Sequence, residues 1–571
     1  MQNNGGFSLK EVFRGFRTIV LFTALSSTAL SCVNAKMDTY AKHVDTRIGT
    51  GGHGHVFVGA NVPFGMVQLG PTSVPQEWDW TSGYHASDST VIGFSHTHLS
   101  GTGIGDLFDI TVMPVVGKSV YERGKVGQPE TGLWSYADRS KEISIPGYYS
   151  VPLTRYGILA ELTATDRVGL HRYTFPKSDE AAIVLDLENG GCWDKAEDTH
   201  IEVVDGNSIR GWRHSKGWAK AQKMFFYAVF SKPFEKNEKM FIQKDVQTRY
   251  ARFSFRTQQG EQVLMKVGIS AVSMDGAKMA VEKEQPAWEF EKTKKQAWER
   301  WNKELSKIKI ETSDEPSRKI FYTALYHTMV APSLFSDVDG AYRGADGKVY
   351  NKSRNVYTTM SLWDTYRAAM PLYHIIHPSK RADLINTMLD IFDEQGKLPV
   401  WHLMGNETDC MVGNPGVIAV AEAIVKGIEG IDKERAYKAC KASVMLDERG
   451  QDIRKKYGYI PCDLYEEACA NDMEYAIADA AVANAARVLG HHEDEKFFRN
   501  RSHSWRNFFD KETQFVRGRT ADGGWRTPFN PFSAEHRAND YCEGNAWQYT
   551  WLAPHDLKGL LEAFGGREKM T

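Results

Sequence analysis

Between Tyr40 and Ala277 apolar residues recur at every second position, in short runs separated by Gly, Asn and other turn formers. Ile158 to Thr165, Leu170 to Phe175, Ala181 to Leu187, Thr248 to Phe255 and Val263 to Ile269 all read this way. In the last run Val263, Met265, Val267 and Ile269 share one face. Period two lines one side of a strand, so many such runs predict antiparallel sheets packed as a sandwich. From Glu282 to Lys307 the chain turns charged, with Trp298 and Trp301 at helical spacing, which predicts a linker helix or helix pair. Beyond Pro316 the period lengthens. Leu384, Met388 and Ile391 fall on one helical face, as do Met473, Ile477, Ala481, Ala485 and Val488 before a stop at Gly490. Helical segments start near Ser317, Ser361, Ser379, Pro415, Lys433, Asp472 and Glu493, and repeated helix hairpins of this kind predict an α/α toroid. The expected order is a signal segment over 1–36, an antiparallel β-sandwich over 40–280, a helical linker over 281–310 and a toroid over 311–571.

Charge and composition narrow the partners. A formal net charge of -2 over 571 residues gives no electrostatic footprint for nucleic acid or an anionic membrane surface. Aromatic residues make up 12% of the chain, including 15 Trp, which suits stacking on sugar rings and equally suits a large β-rich core. Lys10, Arg14 and Arg17 precede an apolar run, Ile19 to Leu30, too short to span a bilayer. The ending Ala29, Leu30, Ser31, Cys32 resembles a loose bacterial lipobox with Cys32 as the lipid-bearing residue. An ordinary secretion signal cut near Ala35 is the alternative, and both predict export to the periplasm or outer membrane surface. The other six cysteines form no CxxC, which disfavours a zinc ribbon and predicts buried free thiols, Cys462 and Cys469 being the nearest pair.

The glycine-rich stretch Ile48 to Pro71 lacks the context of a dinucleotide site or P-loop and reads as a tight loop. His53 with His55, and His96 with His98, sit two apart, so each pair is either a metal-ligand pair or a set of loop anchors. Trp80, in WDWTSGYHASD, is a candidate stacking wall against the alternative of a buried aromatic cluster. In SLWDTYR, Trp363 precedes Asp364 and Arg367, which lie on one helix face and either pair with each other or bind sugar hydroxyls. VWHLMGNETDCMVGNPG concentrates Trp401, His402, Asn406, Glu407 and Asp409 between two helices, part of it explained by capping through Asn406 or Thr408. YCEGNAWQY places Glu543 among amides and aromatics, including Trp547, around a flexible glycine. Such a pocket raises a carboxyl pKa and suits a general acid.

Taken together, VDTRIGTGGHGH, PFGMVQLGP, GFSHTHLSGTG, PGYYSV, SLWDTYR, GNETDCMVG and YCEGNAWQY closely resemble glycoside hydrolase family 92, the calcium-dependent exo-α-mannosidases abundant in Bacteroidetes. The resemblance runs from about Val44 to the last residue. It implies an N-terminal β-sandwich, a linker and an (α/α)6 catalytic domain with the active site between them. It also implies calcium as cofactor, mannose-containing glycans such as N-glycans or mannan as substrates, α-1,2 linkages and inversion, with Glu543 as general acid. Trp80, Trp363, Asp364, Arg367, Glu407 and Trp547 are the expected sugar contacts. Family members carry a GNDD-type segment with the general base, and no GND or GDD follows Glu543 here. The toroid is therefore expected to be incomplete at its C-terminus, with the base and some of the calcium ligands outside this sequence. The alternatives are a fragment that only binds carbohydrate, or another (α/α)6 glycosidase or phosphorylase.

Overall fold

In a computed structural model the described residues are 39–189, 193–241, 248–537 and 539–570. Cys32 and the export segment lie outside them, as does Cys192. The alternating runs form two antiparallel sheets. One orders Ala60–Asn61, Gln68–Thr72, Gly93–Ser95, Thr111–Val116, Ser178–Asp186, Thr248–Thr257 and Lys236–Phe241. The other orders Lys195–Val203, Ser208–Lys216, Gln222–Phe230, Glu261–Ser270, Val168–Phe175, Ile158–Ala164, Tyr148–Leu153 and Ile143–Ile145. Strand Gln222–Phe230 shows why the period matters. Gln222, Met224, Phe226, Ala228 and Phe230 are buried while the residues between them are half-exposed. The two inner faces meet in aromatic contacts such as Phe230 on Phe253, with ring centroids 5.3 Å apart.

The charged stretch is a helix pair, as expected, but it starts earlier than the pattern suggested. Met274–Glu284 is capped by Ser273, whose hydroxyl accepts from the Gly276 amide. This helix lies directly on the strand Glu261–Ser270, where a Cβ on Gly268 would run into the carbonyl oxygen of Ala277. Gly268→Ala is therefore expected to lower stability by roughly 1–3 kcal/mol, the usual cost of overpacking. A thermal melt matching wild type would show that the helix can lift off the sheet without cost. The second helix, Phe290–Leu305, sends the fully buried Trp301 back to the sandwich, its indole donating to the Asn61 carbonyl at 2.8 Å.

Beyond Glu315 the chain is mainly helical. The longest element, Ala468–Leu489, begins four residues before the Asp472 expected from periodicity and ends at Gly490 in the left-handed conformation. It packs on Pro415–Val425, Lys433–Val444 and His492–Arg501. Its burial is nearly all round, so its acidic residues need internal cations. Asp472 and Asp479, both buried, receive Arg454 at 3.2 and 2.8 Å. No described helix is long and apolar enough to cross a membrane.

Among the contacts that join the β and helical parts, two involve the loop that carries Glu407. Trp218, in the loop between strands Ser208–Lys216 and Gln222–Phe230, tilts against the buried Trp401 at 4.7 Å. Asn406 accepts from the Ala221 amide at 3.0 Å, so it bridges the domains and does not cap a helix. The Thr408 hydroxyl likewise donates to the Trp401 carbonyl at 2.9 Å. Behind Trp218 a buried ionic network fixes the loop. Arg213 donates to Asp109 at 2.8 Å and to Asp194 at 2.7 Å, and Asp106 accepts from the Ala219 amide at 2.9 Å.

Candidate active site

Glu543 stands in a segment whose composition is explained by local backbone chemistry. Asn545 caps the short helix Ala546–Tyr549 by accepting from the Gln548 amide, and the Gln548 side chain accepts from the Asn545 amide at 2.9 Å, closing a capping box. The Tyr549 hydroxyl donates to the Cys542 carbonyl at 2.7 Å, and that of Tyr541 to the Val516 carbonyl at 2.5 Å. At Gly544 a Cβ would sit 2.7 Å from the Gln548 side-chain oxygen. Both amides are thus spent on the cap, and Glu543 itself is left on the surface at φ 47°. Surrounding protein withdraws enough water to push its carboxyl above the usual range. The negative charge of Asp364 adds to this and His536 opposes it.

Asp364 and Arg367 do not pair with each other. Asp364 is exposed on the single turn Leu362–Thr365 and accepts from the Ser361 hydroxyl at 2.5 Å. Arg367 instead reaches Glu474, a buried residue of the helix Ala468–Leu489. Trp363 donates its indole N–H to the same carboxylate at 3.0 Å, and the Tyr366 hydroxyl does so at 2.8 Å. Arg367 keeps 38% of its side chain exposed, so its outer edge still faces solvent. We expect Arg367→Ala to lower the melting temperature because it strands a buried carboxylate, and Asp364→Ala to impair turnover with little change in melting temperature. Equal thermal losses in the two variants would contradict this division.

Glu407 has a different surrounding. Its carboxylate accepts three backbone N–H bonds, from Val400 at 2.9 Å, Trp401 at 3.0 Å and Asp409 at 2.9 Å, which staples the loop between the two helices. The Trp80 indole donates to Asp88 at 2.8 Å and the ring stacks on His85 at 4.4 Å, inside a loop of the β domain. Trp547 is half-exposed, edge-on to Phe515 at 4.9 Å and tilted to the exposed Phe532 at 6.0 Å. The histidine pairs are anchors: His96 meets the Ile110 carbonyl at 2.7 Å, His98 that of Gln68 at 2.8 Å, and His55 the Thr81 hydroxyl at 2.8 Å. The described cysteines Cys410, Cys440, Cys462, Cys469 and Cys542 are free thiols.

Backbone strain gathers around these segments. Thr359, Met404, Asp409, Met411, Glu467, Arg537 and Glu543 all have positive φ without being glycine. Such conformations cost of order 1–3 kcal/mol each and cluster where function demands a fixed geometry. A calcium ion takes about six to eight oxygen ligands. Among the described residues no group of three or more His, Cys, Asp and Glu side chains could hold a metal ion, and the Asn545 and Gln548 oxygens are committed to the cap. The side chains here do not by themselves fit the ion.

An exposed acidic residue of raised pKa within electrostatic range of a second carboxylate suits acid catalysis, and the comparisons decide the family. Residues 43–270 match the glycosyl hydrolase family 92 N-terminal domain and residues 276–571 its catalytic domain. The chain belongs to glycosyl hydrolase family 92. Among solved structures, a family 92 α-mannosidase of Bacteroides thetaiotaomicron in complex with mannoimidazole is 35% identical, with a TM-score of 0.89 over 93% of this chain and 73% of its own. An inverting family 92 mannosidase of the same organism is 25% identical, with a TM-score of 0.84 over 94% of this chain and 74% of its own. A curated relative, an uncharacterized secreted glycosidase of Arthroderma benhamiae, is 24% identical over 93% of this chain and 73% of its own. Family 92 membership accounts for the β-rich domain followed by a helical one. Sequence reasoning missed Glu474, one of three acidic residues, with Asp472 and Asp479, in the Ala-rich helix Ala468–Leu489.

Proposed function

We propose that this family 92 protein is an exported α-mannosidase that releases terminal α-linked mannose, of α-1,2 type, from glycans with inversion at the anomeric carbon. The observation that carries the reading is the environment of Glu543, which favours a carboxyl that keeps its proton above the ordinary range and presents it to solvent. In the reaction Glu543 donates that proton to the glycosidic oxygen as the bond to the leaving sugar breaks, and water adds to the opposite face of the mannose ring, losing its proton to a general base that the family resemblance assigns to an aspartate of a GNDD-type segment. An inverting pair of carboxyl groups stands about 6.5–9.5 Å apart to leave room for that water. Asp364 offers an exposed carboxylate to sugar hydroxyls, Arg367 its outer guanidinium edge, and Trp363 and Trp547 flat apolar faces. For Trp80 the proposed role is a wall contributed by the β domain. Glu407 acts on sugar only through the loop it staples.

Mannose as the recognised sugar is supported by the mannoimidazole-bound relative, inversion by the inverting relative, and export by the secreted one together with the N-terminal sequence. Lipid on Cys32 is proposed from the lipobox resemblance. Calcium dependence is proposed from the family resemblance, with no step routed through the ion, and undiminished turnover after exhaustive chelation would remove it. The experiment for the whole reading is proton NMR of α-1,2-mannobiose during hydrolysis. Early appearance of β-mannose is expected; α-mannose first would exclude inversion, and release of glucose from maltose without release of mannose would exclude the mannosidase.

A further inference from the structure

The centre of the site is a residue that makes no contact with solvent. Glu474 is 1% exposed, within the helix Ala468–Leu489, and three side chains of a single turn converge on it. One oxygen takes the Trp363 indole N–H and Arg367, and the other takes the Tyr366 hydroxyl. Tyr366 in turn accepts from the second arm of Arg367 at 2.6 Å, which closes a ring of hydrogen bonds. The guanidinium also lies over the Tyr366 ring, 4.5 Å from its centroid. Asp364, between these three residues in the chain, is the one ionisable side chain of the turn left to face Glu543.

Two other segments lie near Glu474. Gly413, at φ 75°, carries no Cβ because one would overlap the Cβ of Glu474, and its amide donates to Asn471 at 3.3 Å. Tyr549, which clamps the backbone of the Glu543 loop through the Cys542 carbonyl, lies within electrostatic range of Glu474, Tyr366 and Arg367. A buried carboxylate with three donors is stiff, since releasing any of them exposes an unpaired charge to a low dielectric. We propose that Glu474 is the positioning residue of this site: it locks the Trp363–Arg367 turn and the Glu543 loop together, and so sets the separation between Asp364 and Glu543.

Besides burial, the groups that act on Glu543 are Asp364 from the turn and His536 from the preceding loop, while its own charge raises the thiols Cys542 and Cys410. Of these, Asp364 is the one whose place depends on Glu474. Loosening the turn lets the like charge move away, so the Glu543 pKa falls toward its ordinary value and the high-pH limb of activity, where the acid loses its proton, moves to lower pH.

The inference rests on Glu543 being the acid, and its test separates the two ideas. Glu474→Gln keeps the shape but removes the charge that holds Arg367; Tyr366→Phe removes one donor and leaves the charge in place. Both are expected to cut kcat/KM on α-1,2-mannobiose by about tenfold or more and to move the upper pKa of the pH profile down by about half a unit, Tyr366→Phe less than Glu474→Gln. Should Glu474→Gln not fold, Tyr366→Phe decides alone. Folded variants with an unmoved upper pKa overturn the proposal. Carboxyl 13C NMR titration of Glu543, assigned with Glu543→Gln, reads the same shift without turnover. A protein that hydrolyses no mannoside yet shows the shift would refute the mannosidase and keep the positioning role.

Discussion

Replacing Glu543 by glutamine is expected to lower kcat on α-mannosides with poor leaving groups by about 10²- to 10⁴-fold, the usual worth of a general acid. The amide keeps the shape of the carboxyl but has no proton of suitable acidity to give. Substrates whose leaving group needs no proton, such as nitrophenyl mannosides, should suffer much less, and inhibitor binding should change little. A pH profile adds the sign. Burial and Asp364 both raise the Glu543 pKa, so activity should persist to higher pH than an ordinary glutamate allows and fail as pH rises through that raised value. Asp364→Asn removes the like charge and should pull the high-pH limb down. Full activity of Glu543→Gln on a natural disaccharide would show that the proton comes from elsewhere.

The largest expected loss of stability is at Arg213, on the strand Ser208–Lys216 of the β domain. Its side chain is 1% exposed and neutralises Asp109 and Asp194, which are equally buried. Arg213→Met leaves two carboxylates without their cation in the interior, a change that costs about 3–5 kcal/mol. That is a large share of the net stability of a domain, so the variant should melt well below wild type. The loss should also reach the site, because Asp109 shares its other oxygen with Gln222 and Thr97, next to the loop whose Trp218 meets Trp401. Hydrogen exchange should therefore report faster opening of residues 217–221 than of the helix Ala468–Leu489. A melt unchanged from wild type would mean that the interior tolerates the two carboxylates without their cation.

The motif around Glu543 reads in sequence as a candidate site, but its construction does not show there. An Asn followed three positions later by Gln is a capping-box spelling, yet amides beside a candidate acid invite a ligand reading, and only the backbone geometry separates the two. Glu407 posed the same ambiguity. A carboxylate in a loop rich in polar residues reads as a sugar ligand, and the structure adds three backbone amide donors that the sequence does not show. Asp364 and Arg367 lie three apart, and local spacing offered each the other as partner.

What the sequence determined by itself was whatever repeats over a few residues or is spelled in contiguous motifs. The period-two runs specified the two sheets, the longer period the helices, and the ordered motifs the family, because side-chain direction along a strand or helix is set by neighbours in the chain. What only the tertiary structure decided was which distant segments share a buried charge. Arg367 finds Glu474 across 107 positions and Arg213 finds Asp109 across 104. No local pattern encodes such pairs, since each partner is chosen by where the packed helices and sheets bring two segments together, and by the high cost of leaving either charge buried alone.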